Sequence, residues 1–505
     1  MRNMFIRCLF TFVIALIVGL SIQEAGPQRA AARPQVETGK LKSHIEAVMK
    51  RIPTSPGVAV AVVKDDRVIF SEGFGYRDLE RKLPVAKDTG FYLASTTKSF
   101  TAAAAKLLDE QGKLDLDAPI EKVFPDLKLT APLSEKQISL RDFLTHRAGI
   151  SNNAIGLRTS YTGQYDSDLL LDLLAEFSEP RSPEYSYTNL GYVLTGVAME
   201  KATGKTWKQL EKELLFDPIG MTNTTSYASE AKSSGNFAKP YRSKEGEFTE
   251  LPYKNDQTMH AAGGTVSTAE DLAKWVRVMM NDGMLGDKRI ISSRAMREIL
   301  APQINQDRGF YKYRRYAYNL GWNIATYDGE EFVHCFGTYA GFRPHVSFMP
   351  EHKIGVVVLV NESDESIILP DLIANEIYDH LLGKRALDAA ENPLIDEYLR
   401  NLERERERSR ERASSARNEN VANSTPPTSL SGFAGKYINR EFGEITVSLR
   451  EGKLFAEMGN LTSYLEHDSG NKFTVDFLVI SPRPLEFDST GTGALVLDGD
   501  RYEKR

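Results

Sequence analysis

A serine and a lysine three residues apart open the apolar stretch F-Y-L-A-S-T-T-K-S-F-T-A-A-A-A-K-L-L, Phe91 to Leu108. On a helix Ser95 and Lys98 share a face, so the amine can approach the hydroxyl. A serine at the first turn also directs its own backbone N–H outward, towards a developing anion. Serine alone is a weak nucleophile, and a lysine partly stripped of its proton by burial can activate it. The same spacing recurs at Ser229 and Lys232, in the polar, loop-like S-Y-A-S-E-A-K-S-S-G-N. Most such pairs are a capping serine and a surface lysine. The Ala-rich, apolar helix behind Ser95 sets the first pair apart.

Two further stretches carry groups that could act with it. In R-S-P-E-Y-S-Y-T-N-L-G-Y-V-L-T-G-V, Tyr187 and Asn189 flank a threonine between a Pro-marked loop and an apolar helix. Tyr-x-Asn also occurs at Tyr253–Asn255 and Tyr437–Asn439, so this pattern has meaning only in company. In V-H-C-F-G-T-Y-A-G-F, Val333 to Phe342, a histidine adjoins a cysteine. Adjacent residues of a strand point to opposite faces, so His334 and Cys335 do not form a nucleophile pair. A lone cysteine reads as a small buried apolar residue. The eight histidines form no H-E-x-x-H or paired metal spacing, so neither a metal nor another cofactor is expected. His146, in L-T-H-R-A-G-I, reads as a structural loop residue, and Trp275 and Trp322 as core.

The elements that must position these groups follow from apolar patterning. Gly57 to Gly75 reads as two apolar strands around a charged Lys64–Arg67 turn. Pro344 to Asn361 gives two more strands around a Pro350–Lys353 turn, and an apolar helix follows near Ile367 to Leu382. Leu399 to Arg412 alternates charge sign and reads as an exposed, solvated spacer helix. Ala413 to Ser429 is Ser/Asn/Pro-rich, a linker, and Leu430 to Arg505 has the short runs and frequent turns of a small all-β domain.

The 505 residues suffice for two or three domains, and 41% hydrophobic with 26% charged content is that of an ordinary soluble protein. A net charge of −6 without a long basic block argues against nucleic acid as the partner. The first 25 residues combine a basic start, an apolar run and Ala-rich flanks, the pattern of a signal peptide cleaved between 25 and 32. Export to the periplasm or medium is expected, with membrane attachment only if that segment stays uncleaved. Cleavage would remove Cys8 and leave Cys335 without a disulfide partner.

Taken in order, Ser95-Thr96-Thr97-Lys98, Tyr187-Thr188-Asn189 and a Gly-bearing strand before G-V-V-V-L resemble the serine beta-lactamase and penicillin-binding-protein superfamily. The nearest branch is that of the class C and D,D-peptidase-like serine hydrolases. The phrases L-D-E-Q-G-K-L-D-L-D-A-P-I, I-S-L-R-D-F-L-T-H-R-A-G-I and A-G-G-T-V-S-T-A-E-D-L-A agree, and the resemblance covers residues 40–385. It implies an α/β (α+β) fold, an antiparallel sheet flanked by helices with a helical subdomain. Residues 386–429 then connect to a β domain at 430–505, whose start, L-S-G-F-A-G-K-Y-I-N, resembles a lipocalin-like module.

The resemblance also implies roles. Ser95 would form an acyl-enzyme, Lys98 would help take its proton, and Tyr187 would serve as phenolate or proton relay and protonate the leaving group. Asn189 would hydrogen-bond Lys98 and the substrate amide. Members of the family carry Lys-Thr-Gly or His-Thr-Gly on an edge strand; here Cys335-Phe336-Gly337 stands in that place. Gly337 would let substrate lie along the strand, and Thr338 would give the second oxyanion N–H beside that of Ser95. The cation is missing. A one-residue bulge would restore His334 to the position, and Arg343 is another source of positive charge. Without that cation the substrate is expected to be an ester or peptide-like amide rather than a beta-lactam. The partner is thus a small-molecule or peptide substrate, with a homo-oligomer left open. The alternative is a non-turnover binding or sensor protein that uses the fold as a recognition surface.

Overall fold

The computed structural model describes residues 38–182, 184–420, 429–488 and 493–505, with side chains omitted for 412–420. The N-terminal segment read as a signal peptide lies outside these residues.

Among the described residues the main sheet has nine strands, all antiparallel. Two of its interior strands, Gly57–Lys64 and Ile354–Val360, pair from Val58 opposite Val360 to Lys64 opposite Ile354. Both strands read as unbroken apolar runs because helices cover both faces of the sheet. Val58, Val60 and Val62 face one core with helices Thr38–Arg51 and Leu369–Leu381. Ala59, Ala61 and Val63 face the other, which holds helices Thr97–Glu110, Leu190–Thr203 and Ala269–Met280. The expected first hairpin is present, its turn made by Asp65 and Asp66 in left-handed conformation. Next to Ile354–Val360 comes Arg343–Met349, the fifth of the nine strands, and then Glu330–Phe336; these two border the candidate site.

The charged helix departs from the sequence reading. It runs from Pro393 to Asn420, and its first half is no solvated spacer. Ile395 is fully buried, Tyr398 is 7% exposed, and the Tyr398 hydroxyl donates to the Glu365 carbonyl. Arg406 pairs with Glu365 through two hydrogen bonds, and Arg410 with Glu245. Ile395 and Tyr398 just before the charged run, with Leu402 inside it, recur at helical spacing and dock the helix, while most of Leu399–Glu411 is exposed as expected. The helix continues through 413–420, which had been read as linker; residues 421–428 lie outside the described set.

The C-terminal residues form a closed eight-stranded barrel. Alternate residues point inwards, and Tyr437, Phe473, Phe487 and Tyr502 fill the interior. The barrel docks on the segment Arg158–Gln164. The Arg158 guanidinium donates to the carbonyls of Arg440 and Glu441, and Gln164 exchanges two hydrogen bonds with the Glu444 backbone. A second tie runs from Arg242 to the carbonyl of Leu478.

Candidate active site

Ser95 sits in a single 3-10 turn, Ala94–Thr96, which leads directly into the helix Thr97–Glu110. Ala94 takes φ 46°, a left-handed conformation that costs a non-glycine residue about 1–3 kcal/mol. Surrounding bonds hold the turn there: Leu93 N–H donates to Thr265 O, and Thr96 Oγ1 donates to Cys335 O at 3.2 Å. Ala102 to Ala105 are fully buried, so the helix is a central core element, as its composition implies.

Lys98 is 1% exposed. Its Nζ lies 3.0 Å from Ser95 Oγ, 2.8 Å from Asn189 Oδ1 and 2.8 Å from the Ala262 carbonyl. It also stands over the rings of Tyr187 and Tyr192, 4.9 and 5.4 Å from their centroids. Burial disfavours the ammonium and brings its pKa down to about 7. A neutral amine has two N–H groups, and Asn189 Oδ1 and Ala262 O can only accept. The lone pair is then left facing the Ser95 hydroxyl.

The Tyr187 hydroxyl is directed at Ser95, an interaction that favours the phenolate less than burial opposes it. One side of the ring is open to solvent, 44% exposed, whereas desolvation around the hydroxyl pushes its pKa above the usual tyrosine range. The loop that carries it is held by His146, whose carbonyl accepts from Ser186 N–H and whose Nδ1 accepts from Thr188 N–H. The His146 ring also packs 4.5 Å from that of Tyr187. Asn189 follows as the cap of helix Leu190–Thr203. Ser95, Lys98, Tyr187 and Asn189 therefore meet at one point.

The third stretch resolves differently for each residue. Strand Glu330–Phe336 pairs with both neighbours without a bulge, so Cys335 and His334 keep opposite faces. Cys335 faces the Ala94–Thr96 turn, its Sγ 3.6 Å from the Ser95 carbonyl, and burial pushes its thiol up to about 12. His334 is fully buried on the other face, stacked on Phe336 and bonded to Arg315 Nε, away from Ser95. Arg343 is likewise no free cation; it is buried and paired with Asp371. Neither side chain reaches Ser95: without a bulge, regular pleating keeps His334 on the far face beside Arg315, and the Arg343 guanidinium is fully bonded in the core. Gly337 does lie at the site, but for a different cause than substrate access. A Cβ there would stand 2.2 Å from Leu93 O and 3.0 Å from Ser95 N, so only glycine lets the strand end close on the nucleophile turn. Thr338 is exposed and borders a cleft of about 1040 Å³ whose walls include Tyr161, Tyr398 and the barrel residues Val479 and Ile480. Its rim guanidiniums are paired: Arg242 with Asp364, Arg406 with Glu365, Arg410 with Glu245.

The sequence reading missed the Ala262 carbonyl and Tyr192 as neighbours of Lys98. Ala262 opens the A-G-G-T phrase already noted, and Tyr192 follows Asn189 in the helix, but a main-chain acceptor leaves no residue-type signal. Among the described residues no group of three or more His, Cys, Asp or Glu is placed to hold a metal ion.

The family model described as Beta-lactamase matches residues 44–373, and one described as Domain of unknown function (DUF3471) matches 419–495. The unguisins hydrolase ungD of Aspergillus violaceofuscus is 26% identical over 486 residues, 87% of this chain and 83% of that protein. Among solved structures, the octameric penicillin-binding protein homologue from Pyrococcus abyssi superposes with a TM-score of 0.58 at 24% identity, covering 92% of this chain and 99% of its own. The D-amino acid amidase of Ochrobactrum anthropi gives 0.56 at 24%, over 68% and 98%. With the match extending through both candidate motifs and the bordering strands, the chain belongs to the beta-lactamase family, within the serine beta-lactamase and penicillin-binding-protein superfamily.

Proposed function

We propose that the protein is a serine hydrolase that acylates Ser95 and cleaves an ester or a peptide-like amide, with beta-lactam turnover weak or absent. The convergence of Lys98, Tyr187 and Asn189 on Ser95 carries this reading. The neutral Lys98 amine takes the Ser95 proton as Oγ bonds to the substrate carbonyl carbon. The oxygen, now an anion, meets the N–H groups of Ser95 and Thr338. As the intermediate collapses, the Tyr187 hydroxyl gives its proton to the departing alkoxide or amine and regains one from the Lys98 ammonium. Tyr187 thus acts as relay rather than phenolate, in line with its raised pKa. Water then attacks the ester carbonyl, and the acid product leaves with Ser95 restored.

Cys335 and the paired guanidiniums at the rim support a substrate without a free carboxylate beside the scissile bond, whether an ester, an amide-blocked peptide or a D-aminoacyl amide. The D-amino acid amidase among the similar structures fits that range. Export is part of the same proposal, and the octameric neighbour supports assembly into a homo-oligomer. Intact mass after a fluorophosphonate probe tests the nucleophile: one adduct is expected, absent in Ser95→Ala. An unlabelled wild-type chain would favour the binding-protein alternative. Rapid, Ser95-dependent turnover of a cephalosporin would refute the substrate assignment.

A further inference from the structure

Arg343 lies behind the site and touches no substrate space, yet its guanidinium is bound to the peptide unit that borders Ser95. Nη1 donates to the carbonyl of Gly337 at 3.1 Å and to that of Pro344 at 2.9 Å; Nε donates to Ile367 O at 3.1 Å. Nη2 donates to Asp371 Oδ2 at 2.9 Å. Arg343 is 1% exposed and Asp371 is fully buried, so this is an ion pair kept in the core despite its desolvation cost. The other Asp371 oxygen bonds His345 Nδ1 at 2.7 Å, His345 Nε2 meets Ser347 Oγ at 2.6 Å, and Ser347 meets the Tyr378 hydroxyl at 2.9 Å. That acid–histidine–serine chain has the connectivity of a catalytic triad, but all three residues are fully buried. Its effect is to fix the carboxylate that fixes Arg343.

The Gly337 carbonyl and the Thr338 N–H belong to one peptide unit. A trans peptide is planar, and its C=O and N–H point in opposite directions. Holding the oxygen towards the core therefore turns the Thr338 N–H away from it, towards the cleft that Thr338 borders. A charged donor on the carbonyl also polarises the amide and strengthens its N–H as a donor. The adjoining Gly337 N–H donates to Pro344 O, the same carbonyl that Arg343 binds, so both ends of Gly337 are tied to one point.

The geometry points to Arg343, clamped by Asp371, as a positioning residue that orients and polarises the Gly337–Thr338 peptide for the oxyanion of the reaction at Ser95. The inference rests on the reading of Ser95 as nucleophile. It gives a use to the positive charge that strand Glu330–Phe336 lacks at Cys335: the charge acts through the backbone rather than on a substrate carboxylate.

The test uses the full chain with Arg343→Met, Arg343→Lys and Asp371→Asn. End-point fluorophosphonate labelling, read by intact mass, counts working sites, and kcat and KM on an acyl ester are taken per labelled site. Arg343→Met is expected to lower kcat about 100-fold with KM nearly unchanged, since an oxyanion donor acts on the transition state. Arg343→Lys, which keeps the charge and part of the donor set, recovers some of that loss. Asp371→Asn, which loosens the clamp without removing it, costs about 10-fold by the same argument. If Arg343→Met fails to fold, the other two variants decide. Wild-type kcat per labelled site in Arg343→Lys and Asp371→Asn overturns the inference, as does a loss confined to KM or to the labelled fraction. A wild-type chain that takes no label removes the nucleophile reading and this inference with it.

Discussion

The Lys98 amine stands 3.0 Å from the Ser95 hydroxyl and is held there by two groups that can only accept, Asn189 Oδ1 and Ala262 O. Once Lys98 is neutral, its lone pair has no other polar target than the serine proton. The arrangement thus selects the unprotonated amine as the working form.

The pH dependence of acylation follows from this. Lys98 has its pKa lowered to about 7, so the reactive fraction grows as pH rises through that value. Tyr187, raised above the usual tyrosine range, keeps its proton well beyond it. The kcat/KM for a neutral ester should rise with a single midpoint near pH 7 and remain level to about pH 9. A midpoint near the ordinary lysine value would contradict the assignment.

Tyr187→Phe separates the hydroxyl from the ring. The ring packs against His146 and lies under Lys98, so its loss would disturb both, whereas the phenylalanine preserves those contacts. We expect kcat to fall by about 10²–10³ with KM within a few fold, the size of a lost proton donor. Steady-state kinetics on an ester with a poor leaving group is the sensitive measurement, because such a group depends most on protonation.

Gly337→Ala should be among the most damaging single-methyl changes in the chain. The added carbon would overlap Leu93 O and crowd Ser95 N. Overpacking of this kind costs about 1–3 kcal/mol, and here the displaced atoms include the nucleophile turn. Gly309→Ala, where nothing lies within 4 Å, is the control. Thermal melts and labelling rates should both drop for the first and hold for the second.

Cys335 should resist alkylation. It is 4% exposed, and burial raises its thiol pKa to about 12, so little thiolate exists at neutral pH. Iodoacetamide is expected to leave the folded protein unmodified at this residue over hours and to modify it promptly in guanidinium chloride. Mass spectrometry of the peptide that contains it reads the outcome.

Glu211 offers a stability test away from the cleft. Its carboxyl is fully buried, with Oε1 2.7 Å from Thr101 Oγ1, which also lies 2.6 Å from Ala261 O. The single threonine proton satisfies Ala261, so the carboxyl donates its own to Thr101. Burial raises the pKa to about 8. The contribution of this group is therefore full below the unfolded value near 4.5 and fades as pH climbs to about 8. Glu211→Gln should flatten the decline in Tm between pH 5 and 8, measured by calorimetry.

The groups that meet at Ser95 were legible because each is a side chain with a distinctive type and order: Ser95, Lys98, Tyr187, Asn189. The two hairpins were legible because each contains one unbroken apolar strand, Gly57–Val63 and Ile354–Val360. What stayed hidden has a common physical character. Ala262 contributes a carbonyl, which any residue supplies. Arg343 and His334 were placed in the cleft on the strength of their charge, but strand pleating and core partners decide where they point. The helix from Pro393 advertises its charges, whereas three apolar side chains determine that it docks.

The pairing of Val58 with Val360 has a consequence for how the molecule comes into being. These two neighbouring strands of the sheet are separated by almost the whole length of the hydrolase domain, and a contact that distant must close a large loop before it yields any stabilisation. During synthesis, Gly57–Lys64 waits without its partner until Ile354–Val360 has emerged. A chain cut short before Ile354 lacks the strand that links Gly57–Lys64 to Arg343–Met349, and the sheet is then left in two parts. Completion of the sheet is thus timed by the second half of the domain, although Ser95 lies in the first.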